Sequence, residues 1–179
     1  MKIRGASEAD AGAVAAIYGH HVLHGLGTFE EAPPSETDMA GRIRGVLAHR
    51  LPYLVAEDDA GLIAGFAYAS PFRPRAAYRY TAEDSVYIRP DVIGRGVGKA
   101  LVAEVIAACE AMGLRQLVAV IGDSGNAGSI GLHRSLGFVE TGVSRGFGYK
   151  FGRWVDVVWM QKALGPGDGA APEGAGLRL

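Results

Sequence analysis

A glycine-rich segment, Gly94-Arg95-Gly96-Val97-Gly98-Lys99, has the composition of an anion-binding turn. It lies between a segment with strand character and a run of apolar residues at helical spacing. Glycine lets a backbone approach a ligand closely, and the start of a helix offers unpaired N–H groups and the positive end of the helix dipole. A diphosphate is the ligand that such a turn is best suited to bind. The alternative is a glycine turn that only begins a helix.

Two common phosphate-binding motifs do not fit this segment. A dinucleotide-binding fingerprint that starts at Gly94 requires a glycine at position 99, which is Lys99. A Walker A loop that ends in Gly98-Lys99 requires glycine at position 93 and Ser or Thr at position 100, which are Ile93 and Ala100. The sequence therefore indicates neither a Rossmann domain nor a P-loop NTPase.

The other reactive residue types form no recognisable metal or nucleophile motif. His20, His21, His24 and His49 show no metal-ligand spacing supported by a Cys or carboxylate cluster, so we predict no metal. The single cysteine, Cys109, lies on an apolar helical stripe, which favours a core position over a nucleophile. Because there is no Ser-His-Asp arrangement either, direct group transfer fits better than a covalent enzyme intermediate.

Apolar periodicity predicts the elements that position these residues. Helices are predicted after Ser7, after Ser35, and over 97–112 and 126–136. Strands are predicted over 53–57, 62–70, 78–89, 116–121, 138–144 and 154–162. The order is helices, then a meander, then β-α-β-α-β-β. This order predicts an α/β (α+β) sandwich with a mixed sheet.

The composition is that of a globular chain without a charged or membrane-bound partner. The net charge of -1 gives no general attraction to nucleic acid or anionic membrane. No apolar run approaches the roughly 18 residues of a membrane span, and we see no signal-peptide pattern. One cysteine suits a reducing cytoplasm. We predict one domain over 1–164 and a disordered tail over 165–179, because the tail is poor in large apolar groups.

The glycine segment resembles the coenzyme A loop of the GCN5-related N-acetyltransferase (GNAT) superfamily. That loop reads Gln/Arg-x-x-Gly-x-Gly/Ala, and residues 93–98 match it except at Ile93. The departure removes one polar side chain and leaves the backbone N–H groups in place. The resemblance implies a three-layer sandwich in which helices flank a central mixed, mostly antiparallel sheet. It also implies acetyl-CoA as the co-substrate.

A closer resemblance covers nearly all of 1–164. The chain is similar to the phosphinothricin and methionine sulfone/sulfoximine acetyltransferase branch of that superfamily. The matching segments are Ala16-Ile17-Tyr18, Thr28-Phe29-Glu30, Leu54-Val55-Ala56-Glu57, residues 81–87 (TAEDSVY), Leu132-His133, Leu136-Gly137-Phe138 and residues 148–156 (GYKFGRWVD). The branch implies a small-molecule amine as the acceptor, and a homodimer with Trp154 and Trp159 as a plausible contact.

The resemblance assigns the cofactor-binding residues. The pantetheine arm is expected to pair as a pseudo-strand along Val86, Tyr87 and Ile88. The diphosphate is expected over the turn that contains Gly94, Arg95, Gly96, Val97, Gly98 and Lys99. Asn126 is predicted to cap its helix, and by its family position it also bonds to pantetheine.

Two residues are predicted to carry the chemistry. Acyl transfer to an amine requires a neutral amine and a proton for the departing thiolate. We predict Glu83 as the base, because a partly desolvated carboxylate has a raised pKa and because the branch treats the matching glutamate as the base. His133 stands where many relatives carry a tyrosine acid, and the resemblance implies that it protonates the thiolate or helps to deprotonate the amine. The alternatives are a solvated strand glutamate and a packing or surface histidine. In a regular strand, Asp84 is expected on the opposite face from Glu83, and the alternative is a bulge that exchanges the two.

The acceptor pocket is predicted around a basic loop. The planar guanidinium groups of Arg73 and Arg75, stiffened by Pro74, suit carboxylate, phosphinate or sulfone oxygens. By resemblance, the pocket is lined by this loop and by Glu83-Asp84-Ser85. The resemblance also implies that Lys150 adds positive charge to the pocket and that Phe29 forms an apolar wall. The alternative for each arginine is a solvated surface charge. Taken together, these residues favour a zwitterionic α-amino acid over a polycation.

Three functions remain open at this point. The first is an N-acetyltransferase for amino-acid analogues such as phosphinothricin, methionine sulfoximine or methionine sulfone. The second is a GNAT enzyme for another small amine or a peptide N-terminus. The third is a non-catalytic coenzyme A-binding module, against which the presence of Glu83, His133 and Asn126 together argues.

Overall fold

The computed structural model describes residues 1–179, and its elements follow the predicted order with one addition. The helices are α1 (Ala11–His24), α2 (Glu36–Ala48), α3 (Val97–Ala111) and α4 (Ala127–Ser135). The strands are β1 (Lys2–Gly5), β2 (Tyr53–Glu57), β3 (Ile63–Pro71), β4 (Thr81–Ile88), β5 (Gln116–Gly122), β6 (Val139–Lys150) and β7 (Arg153–Ala163). None of the helices combines the length and the apolar character needed to cross a membrane.

Local capping explains where several helices begin. The Ser35 side chain accepts a hydrogen bond from the Asp38 N–H, and the Asp38 carboxylate accepts one from the Ser35 N–H. This reciprocal pair satisfies two backbone donors at the start of α2. Asn126 caps α4 in a similar way, because its Oδ1 accepts from the Ser129 N–H at 3.1 Å. The starts of α2 and α4 could therefore be predicted from the sequence.

The strands form one sheet in the order β1-β2-β3-β4-β5-β7-β6. Every neighbouring pair is antiparallel except β4 and β5, which are parallel. That pairing runs only from Thr81 opposite Gln116 to Asp84 opposite Ala119. Beyond this point the two strands diverge, and the second half of β4 has a free edge. The predicted mixed, mostly antiparallel sheet is confirmed.

Two strand predictions differ from the structure. The sequence did not indicate β1, which pairs antiparallel with β2 at the edge of the sheet. Its four residues contain no buried side chain, so they lack the apolar alternation by which a strand is recognised. β6 continues to Lys150, beyond the predicted end at Ser144, through an irregularity between Ser144 and Gly148. Glycine-rich, exposed sequence gives little strand signal in this stretch.

The two faces of the sheet are covered by different helices. On β4, alternate side chains point to opposite faces. Tyr87 packs edge-on against Tyr18 of α1, with ring centroids 4.8 Å apart, whereas Asp84 bonds to His133 of α4. α1 and α2 therefore lie on the Glu83 face, and α3 and α4 on the Asp84 face. Cys109 is buried in the core as predicted, and burial raises the pKa of its thiol to about 12.

Residues 165–179 form no helix or strand, but they contact the domain. Leu177 is 7% exposed, and its N–H donates to the carbonyl of Arg79. The carbonyl of Arg178 lies 2.9 Å from Nδ1 of His49. Leu177 is the apolar side chain through which this tail contacts the domain, and the disorder that we predicted from composition stays a prediction. The domain boundary at residue 164 stays a prediction.

Candidate active site

The divergence of β4 from β5 opens a cleft of about 520 Å³, which we call the β4–β5 cleft. Its walls are the second half of β4, the end of β5, the start of α3 and one face of α4. Residues Gly25, Leu26 and Gly27, which follow α1, complete the lining. An extended arm entering the cleft would meet the free edge of β4, where backbone groups have no strand partner. The predicted pantetheine residues Val86, Tyr87 and Ile88 all lie on this edge.

The glycine turn has the conformation of an anion cradle. Gly94 and Gly96 both have φ +83, in the left-handed region that favours glycine. Gly96 is the N-cap of α3, so the N–H groups that follow point outward at the positive end of the helix dipole. A Cβ on Gly98 would lie 2.8 Å from the end of the Leu132 side chain, so this side chain of α4 would have to move to accommodate a larger residue in α3. Ile93, the departure from the family loop, has a 61% exposed side chain.

The sequence analysis did not assign His21 to the cleft. His21, at the end of α1, lines the cleft, and its Nε2 lies 2.8 Å from the carbonyl oxygen of Ile88. Because a carbonyl only accepts, Nε2 is the donor and fixes the end of β4 to α1. Burial lowers the pKa of His21, which favours the neutral ring. A helical histidine without a motif gives no sequence signal for such a contact.

Glu83 is a carboxylate without a partner on the α1/α2 face of β4. It forms no hydrogen bond and no salt bridge, and the register places it beside Ser70 of β3. Burial raises the pKa of Glu83; the charge of Arg73 opposes this shift and that of Asp84 adds to it. A half-buried carboxylate with a raised pKa and free oxygens is suited to accept a proton. Glu83 and Asp84 lie on opposite faces, as predicted for a regular strand.

His133 and Asp84 form a buried pair on the other face. His133 is 2% exposed and Asp84 is 5% exposed, and Nε2 lies 3.0 Å from Oδ2 of Asp84. Nδ1 lies 2.7 Å from the carbonyl oxygen of Ser129. Since both partners are acceptors, the ring donates from both nitrogens and is an imidazolium. Burial acts to lower the pKa of His133, but the bond to Asp84, its charge and the Ser129 carbonyl outweigh it and raise the pKa.

The Asp84 carboxylate has a hydrogen-bond partner for only one of its two oxygens. Its Oδ1 is buried and has no hydrogen-bond partner, so His133 is the one side chain that compensates the carboxylate. Both His133 and Asp84 line the β4–β5 cleft, although their side chains are almost entirely enclosed. Neither nitrogen of His133 is free to reach a ligand without giving up a bond. The geometry favours a role in holding β4 to α4 over the predicted proton transfer.

A second cavity, of about 350 Å³, lies on the Glu83 side between α2 and strands β2 and β3. We call it the α2 cavity. Met39 and four aromatic side chains form part of its wall, and Arg42 and Ser70 add polar groups; the aromatic members are Tyr18, Tyr53, Phe66 and Tyr68. Arg42 is held by two bonds to Glu30, at 2.7 and 3.0 Å. The sequence analysis predicted none of these residues, because their apolar spacing only indicated core positions.

The residues predicted to bind the acceptor do not all lie together in the structure. Arg73, Pro74 and Arg75 are exposed in the loop before β4, and the Arg73 guanidinium lies 4.6 Å from the centroid of the Phe72 ring. Ser85 lines the β4–β5 cleft. Lys150, by contrast, is 1% exposed and is not brought to the pocket as a free charge.

Lys150 and Phe29 contact the chain between α1 and α2. The Nζ of Lys150 donates to the carbonyls of Gly25 and Thr28, at 3.0 and 2.7 Å, and burial lowers its pKa. Phe29 is 39% exposed and lies over Gly148. No group of three or more His, Cys, Asp or Glu side chains is arranged to hold a metal.

Comparison with known proteins decides the family. Residues 20–138 match the model of the acetyltransferase (GNAT) family. The chain belongs to the GNAT family. It is 53% identical over 171 residues to a phosphinothricin N-acetyltransferase of Alcaligenes faecalis, covering 96% of this chain and 86% of the relative.

Two further relatives agree with this assignment. An L-methionine sulfoximine/L-methionine sulfone acetyltransferase of Pseudomonas aeruginosa is 40% identical over 164 residues, covering 92% of this chain and 95% of the relative. The crystal structure of a GNAT superfamily phosphinothricin acetyltransferase from Sinorhizobium meliloti in complex with AcCoA superposes with a TM-score of 0.94 at 44% identity, covering 98% of this chain and 94% of that one. The predicted family, fold and function class, an acetyl-CoA-dependent N-acetyltransferase, are confirmed.

Within this GNAT chain, the structure brings the predicted cofactor residues together. The edge of β4, most of the glycine turn and Asn126 line one continuous cleft. Glu83 lies on the other face of β4 from the buried His133–Asp84 pair, so the two predicted catalytic residues are not in contact. Their roles, and those of all individual site residues, stay predictions.

Proposed function

We propose that this enzyme transfers the acetyl group of acetyl-CoA directly to the α-amine of a small amino-acid-like substrate of the phosphinothricin, methionine sulfoximine or methionine sulfone type. The observation that carries this proposal is the unpaired Glu83 carboxylate, which precedes the cleft-lining residues Asp84 and Ser85 on β4 and follows the loop with the guanidinium groups of Arg73 and Arg75. The names of the relatives from Alcaligenes and Pseudomonas support the same substrate class.

The residues of the β4–β5 cleft suit acetyl-CoA. The N–H groups after Gly96 are free for a diphosphate. The edge at Val86–Ile88 has no strand partner, and apart from the Ile88 carbonyl, which accepts from His21, it is free for the amide groups of pantetheine. The Asn126 side chain is already used as a helix cap through Oδ1, which leaves its Nδ2 within weak reach of the Gly122 carbonyl, at 3.5 Å. Acetyl-CoA supplies the activated acetyl group, and this chain holds it in an extended form.

Glu83 is proposed to take the proton of the acceptor ammonium group. An aliphatic amine is mostly protonated near neutral pH and attacks only in its neutral form. The neutral amine attacks the thioester carbonyl, and the new C–N bond forms as the C–S bond breaks. The attacking nitrogen then loses its second proton, which passes to the departing thiolate. A carboxylate whose pKa is raised by burial is better matched to this proton transfer than a solvated one.

His133 is proposed to position rather than to transfer protons. Its imidazolium ties α4 to Asp84 of β4, and so it holds the strand edge next to Glu83 in a fixed place. The earlier prediction that His133 protonates the thiolate requires it to give up the bond to Asp84 or to Ser129. A pH profile of the His133 variants separates the two roles.

A homodimer is proposed from an exposed aromatic patch. Four large apolar side chains lie at the end of β6, the start of β7 and the turn between them, with 55–69% exposure: Phe147, Tyr149, Phe151 and Trp154. Patches of this kind mark interaction sites on soluble proteins. Trp159 differs from them, since it is partly buried and its Nε1 donates to Ser144. The cytoplasmic location and the lack of nucleic-acid and membrane partners stay predictions from composition.

The test is a thiol-release assay with acetyl-CoA. Methionine sulfone, methionine sulfoximine, phosphinothricin and the common amino acids are compared as acceptors at equal concentration. We expect the three analogues to give the highest kcat/KM. A poor signal with all of them, together with clear acetyl-CoA binding, would instead favour another small amine or a peptide N-terminus. No acetyl-CoA binding at millimolar ligand would refute the proposed function.

A further inference from the structure

Lys150 is a buried cation without an anionic partner. It is 1% exposed and takes part in no salt bridge, which is unusual because a buried charge is normally paired. Its Nζ bonds to the carbonyl oxygens of Gly25 and Thr28, and lies 4.9 Å from the centroid of the Phe151 ring. The carboxylates of Glu30 and Glu31 act on Lys150 only through their charge, and that of Glu30 is already held by Arg42. The direct partners of the Lys150 ammonium group are therefore backbone carbonyls and not carboxylates.

The two carbonyls belong to one segment, residues 25–30, which we call the Gly25 loop. Its first half, Gly25 to Gly27, lines the β4–β5 cleft. Its second half is tied to the wall of the α2 cavity, since Thr28 and Glu30 both bond to the Tyr18 hydroxyl. The Gly25 loop thus connects the cleft to the α2 cavity, and its position affects both.

Two glycines allow this loop to sit where it does. A Cβ built on Gly122, at the end of β5, would overlap the carbonyl oxygen of Leu26. A Cβ built on Gly148, in β6, would overlap the ring of Phe29. Neither glycine has a positive φ, so the requirement for glycine comes from the close approach of the loop. The loop is packed tightly onto β5 and β6.

We infer that Lys150 is a positioning residue that clamps the Gly25 loop, and that through this loop it sets the affinity for acetyl-CoA as well as for the acceptor. The inference rests on the proposed function in naming acetyl-CoA as the occupant of the cleft and an amine acceptor as the second substrate. It differs from the direct acceptor contact predicted from resemblance. A lysine that touched only the acceptor would have no effect on acetyl-CoA.

The test measures acetyl-CoA binding by calorimetry without any acceptor. The Lys150→Met variant keeps the aliphatic stem but cannot donate, so the carbonyls of Gly25 and Thr28 lose their partner. We expect acetyl-CoA binding to weaken about ten-fold, which corresponds to about 1.4 kcal/mol, and the acceptor KM to rise as well, with a smaller change in kcat. The control is Lys2→Met, at an exposed position on β1, for which we expect wild-type affinity.

A second variant tests the same loop without touching Lys150. Gly122→Ala forces the Leu26 carbonyl away from β5, and we expect the same joint loss of acetyl-CoA and acceptor affinity. Unchanged acetyl-CoA affinity in Lys150→Met, with only the acceptor KM raised, would overturn the inference. If Lys150→Met does not fold, unchanged acetyl-CoA affinity in Gly122→Ala would overturn it equally.

Hydrogen exchange of the ligand-free protein gives a readout that needs no cofactor. We expect faster exchange in peptides that cover residues 25–30 of Lys150→Met, while peptides of α3 stay protected. Equal loosening of both regions would indicate a general loss of stability and would contradict a clamp. If the wild-type protein bound no acetyl-CoA, the proposed function would fail, while this exchange experiment would still decide the role of Lys150.

Discussion

Replacing His133 by leucine is expected to cost about 3–5 kcal/mol of unfolding free energy, the range for removing one partner of a buried ion pair. We expect a cost at the upper end of this range, because Asp84 would then have no hydrogen-bond partner. Its Oδ1 is already unsatisfied, and its Oδ2 bonds only to His133. For a chain of this length, 3 kcal/mol corresponds to a fall in Tm of about 6–12 °C.

A double-mutant cycle identifies the cause. Replacing both members, in Asp84→Leu/His133→Leu, removes the stranded charge, so we expect the double variant to be more stable than His133→Leu alone. Urea unfolding with a shared m-value gives the four free energies. The control is His24→Leu, at an exposed position on α1, for which a change within about 0.5 kcal/mol is expected. A cost below about 1 kcal/mol for His133→Leu would refute a buried imidazolium–carboxylate pair.

The same pair predicts the sign of the pH dependence. Because the pKa of His133 is raised in the folded state, its contribution is fully present below the unfolded value of about 6.5 and is lost as pH rises through the folded pKa. The free energy of unfolding should therefore fall as pH increases above about 6.5. The pKa of His21 is lowered in the folded state, so its contribution to the free energy of unfolding is lost as pH falls below about 6.5 and does not change above it. The slope above 6.5 should be absent from the double variant, and its persistence there would show that another group causes it.

Four further predictions concern activity and assembly. Glu83→Gln should reduce turnover about 10²–10⁴-fold at neutral pH with unchanged acetyl-CoA affinity by calorimetry; unchanged thiol release would remove Glu83 from the mechanism. Gly96→Ala places a Cβ at φ +83, at a cost of about 1–2 kcal/mol, which the free turn should relieve by leaving this conformation. Because the ligand must then restore the cradle, acetyl-CoA binding should weaken by up to about 5–30-fold, whereas a change within two-fold would argue against the glycine cradle. Arg73→Ala should raise the acceptor KM and, because Arg73 lowers the pKa of Glu83, move the acidic limb of the kcat/KM profile to higher pH; a shift to lower pH would contradict this reasoning. Trp154→Glu should convert the proposed dimer to monomer in light scattering, and an unchanged mass would exclude this patch as the interface.

The sequence by itself was sufficient for features that depend on neighbouring residues. The cap at Asn126, the glycine turn at 94–98 and the apolar stripe with Cys109 each follow from short-range preferences, so their places in the chain could be predicted. The family resemblance added the cofactor residues, which the structure gathers in one cleft. The short edge strand β1 was missed because four partly exposed residues carry no periodic signal.

Only the tertiary structure decided which distant residues meet. His133 was predicted to transfer protons, but Asp84, 49 residues away, occupies one of its nitrogens. Lys150 was predicted to offer a free charge, but it binds the Gly25 carbonyl 125 residues away. The type of a side chain shows what it is able to donate or accept, whereas its partner depends on how strands and helices are brought together. The sequence therefore shows which hydrogen bonds and charge interactions a residue is able to make. The packing around the residue decides whether it makes them with a ligand or with the rest of the protein.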